Sequence, residues 1–170
     1  GISVNTNEAV ALAAGEYLML CDHDDTLEPD ALYEVVKAIN DTGADVLYTD
    51  EDKVSMDGRH YFDPNFKPDF NLFRLRENNY ICHIFVVKKS LTDETGLLRS
   101  EFDGAQDFDF ILRCCEKAQK ITHIPKVLYH WRCHEASTAA NPHSKKYAYE
   151  AGLRALQDHA AERGIPAKAE

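Results

Sequence analysis

Apolar positions change period several times along the chain, and each change predicts an element. Residues Asn7 to Ala14 repeat at helical spacing, with Asn5 or Asn7 as cap, Glu8 in the first turn and Gly15 as terminator. The apolar run from Glu16 to Cys21 predicts one buried strand, and it ends abruptly in Asp22-His23-Asp24-Asp25. Pro29 stands at a first helical position, and Leu32, Val35, Val36 and Ile39 form a stripe that stops near Gly43. Ala44 to Tyr48 predicts a second strand, again followed by acids, Asp50, Glu51 and Asp52. A strand, a helix and a strand, both strands feeding acidic loops, make a βαβ-like unit with a polar mouth at one edge.

The second half continues in the same style. Asp57-Gly58 predicts a hairpin turn, Pro64 and Pro68 a loop, Asn71 to Glu77 a short helix and Ile81 to Val87 a strand. Ser90 to Glu94 reads as a helical turn capped by Gly96. Ala105 to Gln119 predicts an amphipathic helix with Phe108, Ile111, Leu112 and Cys115 inward. Ile121 to Ile124 and Val127 to Trp131 predict strands parted by Pro125-Lys126, and a last helix spans about Ser144 to Arg163. Asn141 to Lys146 reads as a loop, since its Asn-Pro and Ser-Lys-Lys composition favours turns over packing. The expectation is an α/β fold in one unit, residues 1–170, with a mixed, largely parallel sheet flanked by helices.

Composition narrows the class. A chain of 170 residues, 44% hydrophobic and 28% charged, holds enough apolar material for a real core. A net charge of -10 argues against nucleic acid and against strong direct attraction to an anionic lipid surface. Five cysteines, two of them adjacent, form no disulfide framework and suit a reducing, cytoplasmic setting. No apolar run reaches transmembrane length. A zinc site from Cys82, His83, Cys133 and His134 lacks any ligand-pair spacing.

Three constellations carry chemistry. Asp22, Asp24 and Asp25 repel one another unless a cation or donors share their site, and oxygen-only ligands suit Mg2+ or Mn2+ with positions left for phosphates. Helix capping alone needs one acid, not three. Asp107 follows Gly104 and falls in the first turn of a helix, where the dipole favours an anion; it reads either as dipole complementation or as a proton acceptor. On the strand Tyr129-His130-Trp131-Arg132-Cys133-His134, alternation puts His130, Arg132 and His134 on one face, an imidazole and guanidinium set suited to a metal or a phosphate.

Together these motifs resemble the inverting glycosyltransferases of family 2, with the GT-A fold. The carriers are Gly1-Ile2-Ser3 with Asn7, Gly15-Glu16-Tyr17 leading to Asp22-His23-Asp24-Asp25, and Tyr48-Thr49-Asp50-Glu51-Asp52-Lys53. Phe66-Lys67-Pro68-Asp69, Gly104-Ala105-Gln106-Asp107-Phe108-Asp109 and His123-Ile124-Pro125-Lys126-Val127-Leu128-Tyr129-His130-Trp131-Arg132 complete them in the family's order. The resemblance implies that Asp22 and Asp24 hold Mn2+ or Mg2+ on a nucleotide-diphosphate sugar, with His130, or else His134, completing the metal shell. It implies that Asp107 is the catalytic base and that Asp50 and Asp52 belong to the sugar or nucleotide site.

The implied reaction moves a sugar onto a saccharide or lipid-linked acceptor in cell-surface polysaccharide synthesis, peripheral at the membrane only through a longer parent protein. Two departures stand out: Gln106 replaces the Glu that often precedes the base, and the family's first nucleotide-binding strand and its acidic loop have no counterpart. The competing readings are a non-catalytic nucleotide- or carbohydrate-binding module, which has no need of Asp107, and a nucleotidyltransferase, which should show a glycine-rich basic phosphate loop.

Overall fold

The computed structural model describes residues 1–133 and 146–170, so His134 and most of the Asn141 to Lys146 loop lie outside the described residues. Helices α1 (Ile2–Leu12), α2 (Ala31–Thr42), α3 (Leu72–Glu77), α4 (Lys89–Thr95), α5 (Gln106–Lys117) and α6 (Lys146–Glu162) surround a six-stranded sheet. Its strands are β1 (Tyr17–Leu20), β2 (Thr26–Leu27), β3 (Val46–Val54), β4 (Tyr61–Asn65), β5 (Phe85–Lys88) and β6 (Ile121–Arg132). They lie in the order β1-β5-β3-β6-β2, with β4 also paired to β3.

The sheet is mixed, as expected, but less parallel than the βαβ pattern suggests. Strands β1, β3 and β6 run the same way, yet antiparallel β5 sits between β1 and β3, leaving β3–β6 as the parallel pairing among the described residues. Alternation along the strands feeds two cores. Leu18, Val46, Tyr48, Phe85 and Val87 join α5 and Ala151 of α6 on one face. Leu47, Ile84, Val86 and Leu128 join Ala31 and Val35 of α2 on the other.

Several local expectations are corrected. Helix α1 starts at Ile2 rather than Asn7. Asn7 is no cap: its side chain pairs with both backbone groups of Leu98, at 2.8 and 3.1 Å. On α2, Leu32 and Val36 are 61% and 53% exposed; the packed face is Ala31, Val35, Ala38 and Ile39, and Gly43 closes the helix in the left-handed conformation. Strand β3 does not stop at Tyr48 but runs through the acids to Val54, because β6 on one side and β4 on the other supply ladder partners. The turn at Asp57-Gly58 joins β3 to β4, with Gly58 donating to Ser55 O at 2.8 Å. The two strands expected around Pro125-Lys126 are one strand whose register slips opposite Asp50, since Pro125 has no N–H for the ladder.

Candidate functional site

Residues 21–25 carry the chain from β1 at one edge of the sheet to β2 at the other, across the polar ends of the strands. They are tied down by the end of β6. The Asp22 N–H donates to the Tyr129 hydroxyl at 3.2 Å, and that hydroxyl donates in turn to Asp25 Oδ2. Asp25 Oδ1 accepts the Arg132 N–H at 2.8 Å, and the Arg132 Nε donates to Asp24 O at 2.7 Å. The three acids therefore divide their work. Asp25 is the anchor; burial raises its pKa, against the hydrogen bonds from Tyr129 and Arg132. Asp22 and Asp24 keep side-chain exposures of 60% and 40%.

Asp22 faces a cavity of about 300 Å³, lined also by Cys21, His83, Gln106, Asp107 and Trp131. The cavity brings together two residues singled out from sequence, the first acid after β1 and the acid in the first turn of α5. Gly104 makes that second placement feasible. Its φ is +104°, and a Cβ there would come within 2.6 Å of the Tyr147 ring. Gly104 also donates its N–H to Gln106 Oε1 at 2.7 Å, which opens α5. Asn79 Nδ2 donates to Asp107 Oδ2 at 3.1 Å and fixes the carboxylate's orientation.

The other predicted site residues are placed elsewhere. Asp50 is 3% exposed; its Oδ1 accepts the Lys67 N–H and lies 2.8 Å from His123 Nε2. Asp52 lies 2.6 Å from His130 Nδ1 and lines a separate cavity of about 320 Å³ under the β3–β4 hairpin, which shares Trp131 with the first. His130 is buried between two carboxylates, with Glu28 at 3.2 Å from its Nε2. Strand alternation turns Tyr129 and Trp131 toward the Asp22 side and His130 away from it, so the structure does not bring His130 to Asp22 and Asp24. Among the described residues no group of three His, Cys, Asp or Glu side chains is gathered as a metal site, the Cys82-His83 and Cys133 pairing included.

Sequence reasoning missed a supporting network. Lys67, with its side chain fully buried, donates Nζ to Glu51 Oε2 at 3.3 Å and to the carbonyls of Ile81, at 3.1 Å, and His83. Burial drives the Lys67 pKa down. Burial works against ionised Glu51 too, but His83 and Lys67 overcome it and hold Glu51 below the usual carboxylate range. Held this way, the His83 ring stacks on Tyr129 at 4.9 Å and puts Nε2 3.6 Å from Asp22. The signal was in the chain: a lysine between Phe66 and Pro68, near a run of acids, finds its countercharge there.

The sequence model of glycosyl transferase family 2 matches residues 1–97. The chain is 47% identical over 163 residues to the uncharacterized protein y4gI of Sinorhizobium fredii, covering 94% of this chain and 18% of that protein. It is 39% identical over 164 residues to the O-antigen biosynthesis protein RfbC of Myxococcus xanthus, covering 96% of this chain and 13% of that one. The chain thus spans less than a fifth of the length of either relative. Among solved structures, TarS 1-349 of S. aureus in complex with UDP-GlcNAc superimposes with a TM-score of 0.66 at 21% identity, over 90% of this chain and 45% of that one.

Proposed function

The chain belongs to glycosyl transferase family 2, and on that premise we propose that it transfers a sugar, with inversion, from a nucleoside-diphosphate sugar to a saccharide or lipid-linked acceptor in polysaccharide synthesis. The observation that carries this reading is the shared cavity of Asp22 and Asp107. Inversion needs a departing group and an incoming hydroxyl on opposite sides of the anomeric carbon. A cavity lined by both carboxylates suits that demand.

Asp107 is the base. It accepts the proton of the acceptor hydroxyl as that oxygen bonds to the anomeric carbon and the bond to the diphosphate breaks. Asn79 holds the base in place, and Trp131, near the end of β6, lines the same cavity. Asp22 and Asp24 have the hard oxygen donors that Mg2+ or Mn2+ prefers, so the acidic loop fits such an ion, while His130, committed to Asp52 and Glu28, does not join them. The chemistry a divalent ion supplies when held there is neutralisation of the departing diphosphate. The relative named for O-antigen biosynthesis supports a polysaccharide product, and the neighbour bound to UDP-GlcNAc supports a uridine donor.

The test is calorimetric titration of the chain with UDP, GDP and dTDP, with and without Mn2+, repeated on Asp22→Asn and Asp24→Asn. Metal-dependent binding of one nucleotide that both variants lose is the expected result. Binding that ignores both the metal and the two substitutions overturns the assignment of the acidic loop.

A further inference from the structure

The cavity under the β3–β4 hairpin has no part in the reading above. Its volume is about 320 Å³, within the ~300–1,000 Å³ typical of small-molecule sites, and Lys53, Asp63, Asn65 and Trp131 are among its lining residues. Strand register explains what it presents. Lys53 is the partner of Phe62 on β4 and of Trp131 on β6. Register partners share a face of the sheet, so the three side chains form one row, with an aromatic ring on either side of Lys53. The two rings stand two strands apart, ~10 Å at the usual strand spacing. Phe62 is 37% exposed, and the His60 ring stacks on it at 5.6 Å. Trp131 is partly buried and also lines the Asp22 cavity, so the row adjoins the proposed reaction centre.

A bulge completes the row. Between the pairs Glu51–Asn65 and Lys53–Phe62, β3 has one residue, Asp52, whereas β4 has two, Asp63 and Pro64. Asp63 takes a φ of +53°, a left-handed conformation uncommon outside glycine. Strict alternation would turn it to the face opposite Phe62. The bulge brings it instead to Lys53, with which it forms an ion pair, and its carboxylate stays 65% exposed. An irregularity of this kind re-aims a side chain, and it is found next to working sites more often than elsewhere. Asn65 adds an amide, whose Nδ2 donates to Glu51 Oε1 at 3.2 Å. Two rings flanking a carboxylate, an ammonium and an amide match the two sides of a sugar. A pyranose has an apolar C–H face that packs on an aromatic ring, and a rim of hydroxyls that both donate and accept.

We propose that this row is a saccharide subsite. It holds the units of an oligosaccharide that lie beyond the one in the Asp22 cavity, one pyranose face on Trp131 and the next unit toward Phe62, with Asp63 and Lys53 on their hydroxyls. That this oligosaccharide is the acceptor rests on the donor reading of the Asp22 cavity; the subsite itself rests on the row and the bulge.

Trp131 is the one tryptophan of the chain, so its emission reports on this place alone. An array of bacterial surface-polysaccharide fragments of one to four units, probed with the labelled chain, selects a binder, which is then titrated against that emission. Phe62→Ala removes the outer ring, and Asp63→Gly removes the carboxylate while keeping a residue at ease with the bulge. The expected result is tighter binding of fragments longer than one unit, a shift of Trp131 emission, and affinity about tenfold weaker in each variant. Thermal melts and affinity for UDP-GlcNAc with Mn2+ are expected to match wild type, which shows that the variants are folded. Fragments that bind without moving the emission, binding that both variants keep, or no fragment bound by a chain that binds UDP-GlcNAc each overturns the subsite. Fragment binding in the expected pattern by a chain that ignores UDP-GlcNAc keeps the subsite and overturns the donor reading instead.

Discussion

Asn79 donates from Nδ2 to Asp107 Oδ2 at 3.1 Å, and so a residue from the loop after α3 orients the first acid of α5. Neither α3 nor α5 alone fixes the direction in which that carboxylate points.

Removing the acid and removing its tether should therefore differ in degree. Asp107→Asn is expected to lower kcat by about 10²- to 10⁴-fold in a transfer assay, the range of a lost general base. Asn79→Ala keeps the base but frees it to rotate, so a loss of about 10- to 100-fold in kcat is expected, with donor KM little changed. An Asn79→Ala enzyme with full kcat would mean that orientation comes from α5 alone.

The Lys67–Glu51 pair gives a stability prediction. Lys67→Met leaves Glu51, whose side chain is 12% exposed, without its cation. The expected cost in urea unfolding is about 3–5 kcal/mol, the usual penalty for breaking a buried pair. Adding Glu51→Gln to it should recover part of the loss, because no uncompensated charge then remains. Additive losses would show that the two side chains act separately.

Cys21 reports on the Asp22 cavity because it is exposed and lines that cavity. UDP-GlcNAc with Mn2+ should slow its alkylation by iodoacetamide, while leaving Cys114 and Cys115 unreactive throughout. Burial pushes the Cys114 thiol up to about 12 and Cys115 well above its ordinary value. Mass spectrometry of the labelled peptides separates these sites, and an unprotected Cys21 would count against nucleotide binding next to Asp22.

Acid should destabilise the α5 region through Asp109. Burial favours the neutral form of this acid, but hydrogen bonds from Arg99 and Arg113 win and hold its pKa below the ordinary value. A native pKa below the unfolded one means that the folded chain binds fewer protons in that window. The stabilisation is then complete above pH ~4 and is lost as pH falls through the lower, native value. Asp109→Asn should lower stability at neutral pH and flatten its pH dependence below ~4. Thermal melts across that range, in both proteins, measure it.

Much of this was legible in the chain because local rules and the tertiary structure agree. The apolar run before Asp22 is β1, the stripe with Phe108, Ile111, Leu112 and Cys115 is the buried face of α5, and Asp57-Gly58 turns a hairpin. The misreading of the acids after Tyr48 has a definite cause. Asp50, Glu51 and Asp52 look like a loop because they are charged, yet each has a distant partner: His123 and His130 on β6, and Lys67 in the connection after β4. Pairing at long sequence distance turns a polar run into buried strand, and no local window contains that information. His130 was read from its neighbours on β6, whereas its environment is set by Asp52 and Glu28.

The loop of residues 21–25 is fastened by side chains that arrive far later in the chain: Tyr129 and Arg132 bind Asp25 from 104 and 107 positions downstream. The acids after β1 therefore inherit their position from the end of β6. A change packed against β6, with no contact to any acid, would move the whole loop as one piece.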